Sequence, residues 1–376
     1  MKTGALFLTI LAAVVAPGLL STRAGVPARH KPDNLTASGA LLWRGQPFFP
    51  IGIYHVSHTD VEYAILAAHG FNTIQGHFTT DVAQFRQTLD LALKHHLAVD
   101  VPLHASNLVK ENLDQSLAKI RAAAGHAAVL SWKICDEPDS DRYARLRGEV
   151  PPAFRAIKSL NPAQPVELTL CKDATLGDWT RFCDVVQIDR YPVPGHPLTQ
   201  VADFCQRTRA EMLPWQNLTY VVQCGWTPDL KTQPSFAQAR AMVYLALIGG
   251  AKGIFWYSRK EDDGWDLTTS PLWPRLKEIN AEIASLSAPL LLGEDVPGIG
   301  CSAPEVRFAG KRHLGKIYLL ATNPADAPAD AAFTLPPGVR PRAAELAGTG
   351  RRLEMVEGIV RVPLGGTDSA TVIFDL

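Results

Sequence analysis

No two cysteines of this chain stand as CxxC, and none precedes a histidine as CxxH, so a structural zinc site is excluded. Net charge is missing too. Lys+Arg and Asp+Glu are both 37, and their balance excludes the basic field that nucleic acid or an anionic membrane would need. No Gly-rich phosphate loop follows the first apolar strand, which argues against a doubly wound dinucleotide fold and implies no cofactor. Beyond the N-terminus no apolar run is long enough to span a bilayer. No internal repeat or low-complexity tract is present. What remains is a chain of 376 residues, 47% hydrophobic, enough for two domains or for one barrel with an appendage.

The first 24 residues read as a secretory signal. Lys2 is the charged start, Ala5 to Ala16 the apolar core, Pro17-Gly18 the break, and Ala24 the last residue before cleavage. A secreted or periplasmic location is therefore expected. Export permits disulfides among Cys135, Cys171, Cys183, Cys205, Cys224 and Cys301. A Cys183–Cys205 bridge would join a strand start to the following helix. Residues 25–39 read as polar linker, and residues 40–48 as a hairpin that closes the bottom of a barrel.

From residue 48 to residue 292, apolar β-rich runs alternate with helical periodicities. Strands are expected over residues 48–56, 72–77, 97–104, 129–135, 165–171, 184–191, 217–226 and 253–259. Between them, apolar residues recur at helical spacing, as in Leu113, Leu117, Ile120 and Ala124. Asp81 with Gln84, and Ser235 with Gln238, are helix-start signals. The fourth helix is expected over residues 141–160, interrupted at Pro151-Pro152. Eight such units over about 250 residues are the size and rhythm of a (β/α)8 TIM barrel. Residues 293–376 change character: short β-rich runs lie between Pro- and Gly-rich turns, as in a small antiparallel β-sandwich. That tail has no Trp after Trp273, which favours a packing role over sugar binding.

In a barrel of this kind the C-terminal ends of the strands share one mouth. Reading those ends in turn collects Tyr54 and His55, Gln75 and His77, His104, Asp136 and Glu137, and Cys171 and Lys172. Asp189 and Tyr191, Gln223 and Trp226, and Trp256, Tyr257 and Arg259 complete the ring. Aromatic rings stack on the apolar faces of sugars, while carboxylates and amides take hydroxyls. A carbohydrate is therefore the expected partner. The number of copies in the working assembly is left open.

Trp132-Lys-Ile-Cys-Asp-Glu-Pro138 resembles the acid/base signature of the retaining β-glycosidase barrels known as clan A, which carry Asn-Glu-Pro there. Phe49-Pro-Ile-Gly-Ile-Tyr54, Gly70-Phe-Asn-Thr73 and Ala251-Lys-Gly-Ile-Phe-Trp-Tyr257 resemble the first, second and eighth strands of the same family. The resemblance implies an O-glycosidase acting on a neutral glycan, with Glu137 as general acid/base. A raised pKa would suit Glu137 to protonate a departing sugar oxygen, and Asp136 would position substrate or raise that pKa by like-charge repulsion. It also implies a nucleophilic Glu at the end of the seventh strand, where this chain has Gln223. Asp189 is then the favoured second carboxylate, because strand ends are held more rigidly than loops. The acids after the eighth strand, Glu261, Asp262, Asp263 and Asp266, are the alternative. Carboxyl separation decides between mechanisms, roughly 5–5.5 Å for retention and about 6.5–9.5 Å for inversion. Two other readings stay open. Gln223 suits a barrel that binds sugar without cleaving it. His55, His77 and His104, with Asp136 or Asp189, suit an open metal site in a hydrolase.

Overall fold

The computed structural model describes residues 29–103, 113–225 and 232–376. The signal at residues 1–24, His104 and Trp226 lie outside the described residues. Strands β1 (Leu41–Trp43) and β2 (Gln46–Phe48) form the expected hairpin, turning at Arg44 and Gly45. Both turn residues have positive φ, which matches the twist of the paired strands. Leu35 and Leu41 pack on Ala98, Leu130 and Val185 near the N-terminal ends of barrel strands, so this segment plugs the bottom.

The barrel strands are β3 (Ile51–Ile53), β4 (Thr73–Gln75), β5 (Ala98–Pro102), β6 (Val129–Cys135), β7 (Val166–Leu170), β8 (Val185–Asp189), β9 (Asn217–Gln223) and β10 (Ile254–Tyr257). They pair in parallel and close in the order β10-β3-β4-β5-β6-β7-β8-β9. Between them run α1 (Asp60–Ala68), α2 (Val82–Lys94), α3 (Leu113–Ala123), α4 (Val150–Leu160), α5 (Leu176–Trp179), α6 (Gln200–Ala210) and α7 (Phe236–Ile248), and α8 (Trp273–Leu292) follows β10. Asp81 caps α2 by accepting from the Ala83 amide at 2.8 Å, and Ser235 with Gln238 forms a complete capping box on α7. The fourth helix departs from expectation. It begins only at Val150, and Pro151-Pro152 occupy its first turn instead of breaking it. Proline fits there because first-turn amides have no intrahelical partner to lose.

Strand side chains alternate, and here the inward set is unusually polar. Barrel interiors are normally filled by branched aliphatics. This one holds Asp100, Ser131, Lys133, Glu167, Thr169 and Gln187, all buried. The outward set, including Trp132, Ile134, Leu168 and Tyr220, belongs to the main apolar core under the helices.

After α8 the chain forms a six-stranded and a four-stranded antiparallel sheet, joined by their own apolar core around Phe333, Val360 and Phe374. Strand Ala343–Leu346 pairs with Asp368–Asp375. Helix α7 packs against strands Lys316–Asn323 and Asp368–Asp375, which explains why it is apolar on nearly every face. Arg240 of α7 locks the contact. Its guanidinium takes Glu282 of α8 through two bonds of 2.7 and 2.8 Å and donates to the Ser369 carbonyl at 2.6 Å. Tyr244 adds bonds of 2.5 Å to Glu282 and 2.9 Å to Thr371. Removing Glu282 leaves the half-buried guanidinium with only the longer carboxylate contact, to Asp368 3.4 Å away. Glu282→Ala is therefore expected to lower stability by about 1.5–3 kcal/mol, read from urea unfolding midpoints.

All six cysteines are free thiols. The expected Cys183–Cys205 bridge does not form. The Cys183 thiol faces the Trp179 and Thr180 carbonyls at 3.8 Å, while Cys205 packs directly under Gly249.

Candidate active site

The mouth is built from the last inward residue of each strand. At the end of β6 the chain turns through Asp136, Glu137 and Pro138. Glu137 sits at φ +44°, a conformation that costs a non-glycine residue energy and concentrates at functional sites. The turn is braced on both sides. The Glu137 amide donates to the Thr169 carbonyl at 3.0 Å, and the Ser140 amide donates to the Glu137 carbonyl at 2.9 Å. Asp139, fully buried, accepts from the amides of Cys171 and Lys172 at 3.0 and 2.7 Å, fastening the turn to the end of β7.

The Glu137 and Asp189 carboxyls adjoin and perturb each other. Burial raises the pKa of Glu137, and the adjacent Asp136 charge raises it further, against a lowering by the bond to Asp189. Burial and Glu137 together push Asp189 well above the usual carboxylate range. The buried Asp189 Oδ1 has no protein donor, and a proton shared with Glu137 would satisfy it. Arg190 does not serve Asp189; its guanidinium goes to the Cys171 carbonyl and Asp173 instead.

Asp136 is the opposite case. Burial raises its pKa, but Lys133 beside it, 3.1 Å away, outweighs that and keeps the carboxyl below its ordinary value. Lys133 rises through the centre of the barrel and donates to Tyr54 Oη and, at 2.9 Å, to Gln187 Oε1. Beneath it, Ser131 donates to Asp100 at 2.8 Å, and the buried Asp100 and Glu167 carboxyls bond to each other with raised pKa values, chiefly through burial.

A cavity of about 480 Å³ opens over this floor, walled by His55, Gln75, Lys133, Cys135, Asp136, Tyr143 and Tyr257 among others. A second, of about 750 Å³, adjoins it and carries His58, His77, Lys260 and Glu261. The two share His55, Gln75, Phe78 and Asp262. Glu137 is half-buried just off the first cavity, with its neighbours Cys135 and Asp136 on the wall. Tyr191 stacks on Tyr257 with ring centroids 5.6 Å apart, and Tyr257 also packs on Tyr54 and His55.

Several expected site residues are thus brought together: Tyr54, His55, His77, Asp136, Glu137, Asp189, Tyr191 and Tyr257. Two are not. Trp256 points outward into the helical layer, where its indole donates to Asn280 at 3.0 Å. Alternation on β10 gives the inward place to Tyr257 and denies it to Trp256. Gln223 is fully buried and occupied: its amide clasps the backbone of Val193 through bonds of 3.1 and 2.6 Å. Lys133, Asp139, Gln187, Arg142 and Tyr143 were not singled out from the sequence. Lys133 and Gln187 were legible in principle as polar residues at inward parity in apolar strands.

Of the three histidines offered for a metal site, His104 lies outside the described residues; among the described residues no three His, Cys, Asp or Glu side chains converge on a point suited to a metal. His55 turns to Glu261, with Nδ1 3.5 Å from Oε1, and His77 packs against His58 with centroids 4.5 Å apart. His58 is held neutral: burial pulls its pKa down to about 3, helped by His77 and Lys119. A depressed histidine costs stability as pH falls below its unfolded value near 6.5, because only the unfolded chain takes up the proton. Replacing His58 with Gln is therefore expected to shrink the stability loss between pH 7 and pH 5 by roughly 2 kcal/mol, measured by urea unfolding at both pH values.

No protein-family model matches this sequence, and no curated protein matches it. Solved structures do share its fold. The α-amylase from Geobacillus thermoleovorans, complexed with acarbose, superposes with a TM-score of 0.60 at 10% identity, over 84% of this chain and 91% of that one. A GH27 β-L-arabinopyranosidase from Geobacillus stearothermophilus, in complex with arabinose, gives 0.60 at 11% identity, over 87% and 97%. A GH30 endoxylanase from Clostridium papyrosolvens gives 0.52 at 11% identity, over 90% and 98%. These neighbours are glycoside hydrolases, and the architecture they share with this chain is the one that the clan A resemblance implied. At such identities the likeness is one of fold.

Proposed function

We propose that this protein hydrolyses O-glycosidic bonds of a neutral oligo- or polysaccharide, outside the cytoplasm, with Glu137 as the general acid. The observation that carries this reading is the pair of adjoining carboxyls, Glu137 just after β6 and Asp189 at the end of β8, both with raised pKa, beside a cavity walled by aromatic, imidazole and carboxylate groups. A glycosidic oxygen is a poor leaving group until it receives a proton. A carboxylic acid whose pKa is raised above the ordinary value supplies one. Burial, the Asp136 charge and the bond to Asp189 hold that proton on the pair, and the braced left-handed turn aims it.

Asp189 takes a role different from the second carboxylate expected of it. A carboxyl in hydrogen-bond contact with the acid is too close for either hydrolytic separation. It is a positioning residue that shares a proton with the acid. Asp189→Asn removes the like charge that makes the last proton hard to lose. The basic limb of its kcat/KM profile is expected to move to lower pH by on the order of one unit, while KM changes little. A merely structural role would lower kcat without moving that limb.

The first test is a screen of neutral polysaccharides and aryl glycosides, read by reducing ends or released phenol. Binding without any product over long incubation would instead favour a sugar-binding barrel without turnover.

A further inference from the structure

The site still needs a group on the far side of the anomeric carbon, and Gln223 and Asp189 are both otherwise engaged. We propose that the Glu261 carboxylate, on the loop after β10 and so on the opposite side of the ring from the end of β6, is the nucleophile. This inference rests on the glycosidase reading above.

The placement follows from topology. In the ring order, β6 and β10 stand four strands apart in either direction, so their ends oppose each other across the opening. Glu261 follows β10 by four residues and lines the 750 Å³ cavity. Its partners His55 and Tyr257 line the 480 Å³ cavity together with Asp136.

The segment that carries Glu261 is firmly held, which removes the reason for preferring an acid on a strand. The Arg259 amide donates to the Tyr54 carbonyl at 3.0 Å, and the Leu267 amide to the Arg259 carbonyl at 3.0 Å. The Arg259 guanidinium is buried between Glu62, at 2.7 Å, and Asp266. The Glu261 amide donates to the Trp265 carbonyl at 3.0 Å, closing a small hairpin whose outer rung is the Lys260–Asp266 bridge.

The carboxylate is oriented as well. Ser258 Oγ donates to Oε1, His55 Nδ1 lies 3.5 Å from the same oxygen, and the Tyr257 hydroxyl bonds to the group. The side chain keeps 12% exposure, enough to be reached from the cavity. Against the raising effect of burial, these donors hold its pKa below the ordinary carboxylate value. Acid and nucleophile are thus pushed apart in opposite directions, as a double displacement requires.

In the first step a Glu261 oxygen bonds to the anomeric carbon as the bond from that carbon to the leaving oxygen breaks, and the leaving oxygen takes its proton from Glu137. In the second, water gives a proton to Glu137 and its oxygen bonds to the anomeric carbon. The bond from the anomeric carbon to Glu261 breaks as the new one forms, and Glu261 returns as the carboxylate.

The test begins with a panel of 2,4-dinitrophenyl glycosides on the wild-type protein. The 2-deoxy-2-fluoro analogue of the sugar that turns over is then incubated with the enzyme, which is digested and analysed by mass spectrometry. A fluoroglycosyl adduct on the peptide containing Glu261 is expected. Glu261→Gln is expected to lose more than about a thousandfold in kcat even on the activated glycoside. Asp263→Asn, with its carboxylate on the exposed outer side of the same loop, should keep full activity. An adduct on any other acid overturns the assignment while leaving the glycosidase reading intact, and so does a fully active Glu261→Gln. Failure of the wild type on the panel and on every polysaccharide overturns both.

Discussion

Glu137→Gln is expected to fold as the parent does and to hydrolyse an unactivated glycan about 10²–10⁴-fold more slowly. The substitution is nearly isosteric, and an amide still bonds to Asp189, so thermal unfolding should stay close to that of the parent. What it removes is the proton. The loss should depend on the leaving group. A natural sugar alcohol needs protonation to depart, whereas dinitrophenolate is stable as an anion and leaves unaided. Measured side by side, Glu137→Gln should be severely impaired on the glycan and far less on the dinitrophenyl glycoside. Equal impairment on both would place Glu137 outside proton transfer, and full activity on the glycan would remove it from the mechanism.

Lys133→Met should carry the largest cost to stability. The ammonium is buried at the centre of the barrel, against Asp136, Tyr54 and Gln187, with the Asp100–Glu167 pair nearby. Burial alone would lower its pKa, but the surrounding Tyr54 and carboxyl groups hold it well above the ordinary lysine value. Removing the ammonium leaves the buried Gln187 and Tyr54 oxygens without their donor and the half-exposed Asp136 without its cation, at a cost of about 2–4 kcal/mol, of which the solvent-screened Asp136 charge is only part. The pH dependence gives the test its sign. Without Lys133 the folded-state pKa of Asp136 rises above its unfolded value. The penalty is then absent below about pH 4 and grows as pH rises through the new folded value. The deficit of Lys133→Met, read by urea unfolding, should therefore be large at pH 7–8 and smaller near pH 5. A deficit independent of pH would mean that lost packing, and no stranded charge, is responsible. Activity at pH 7 should fall as well, because the variant loses the cation that keeps Asp136 ionised beneath the cavity.

The polar barrel interior shows where reading by pattern stops. Strand β6 was recognised because Val129, Leu130, Trp132 and Ile134 make an apolar run that ends in two acids. The same run hides Ser131 and Lys133, which alternation turns inward. Trp256 went astray by the same rule. An aromatic at a strand end looks like part of a sugar platform, yet one residue of register decides whether it meets the cavity or Asn280. Asp189 illustrates a different limit. Its place at the end of β8 was legible, but its contact with Glu137 spans two strands of the ring and has no signature in either segment.

Strand–helix alternation, helix-start residues and the change of composition past residue 292 are local properties. Each is set by the conformational preferences and apolar spacing of neighbouring residues, so the barrel and its all-β tail could be read along the chain. The pairing of Glu137 with Asp189 and of Asp100 with Glu167, and the clamping of the loop after β10 onto Glu62 and Tyr54, arise between residues far apart in the chain. Their energies depend on burial and on distance across the closed ring. Closing that ring assigned one acid the proton, another the lysine, and a third the three donors that hold it ready.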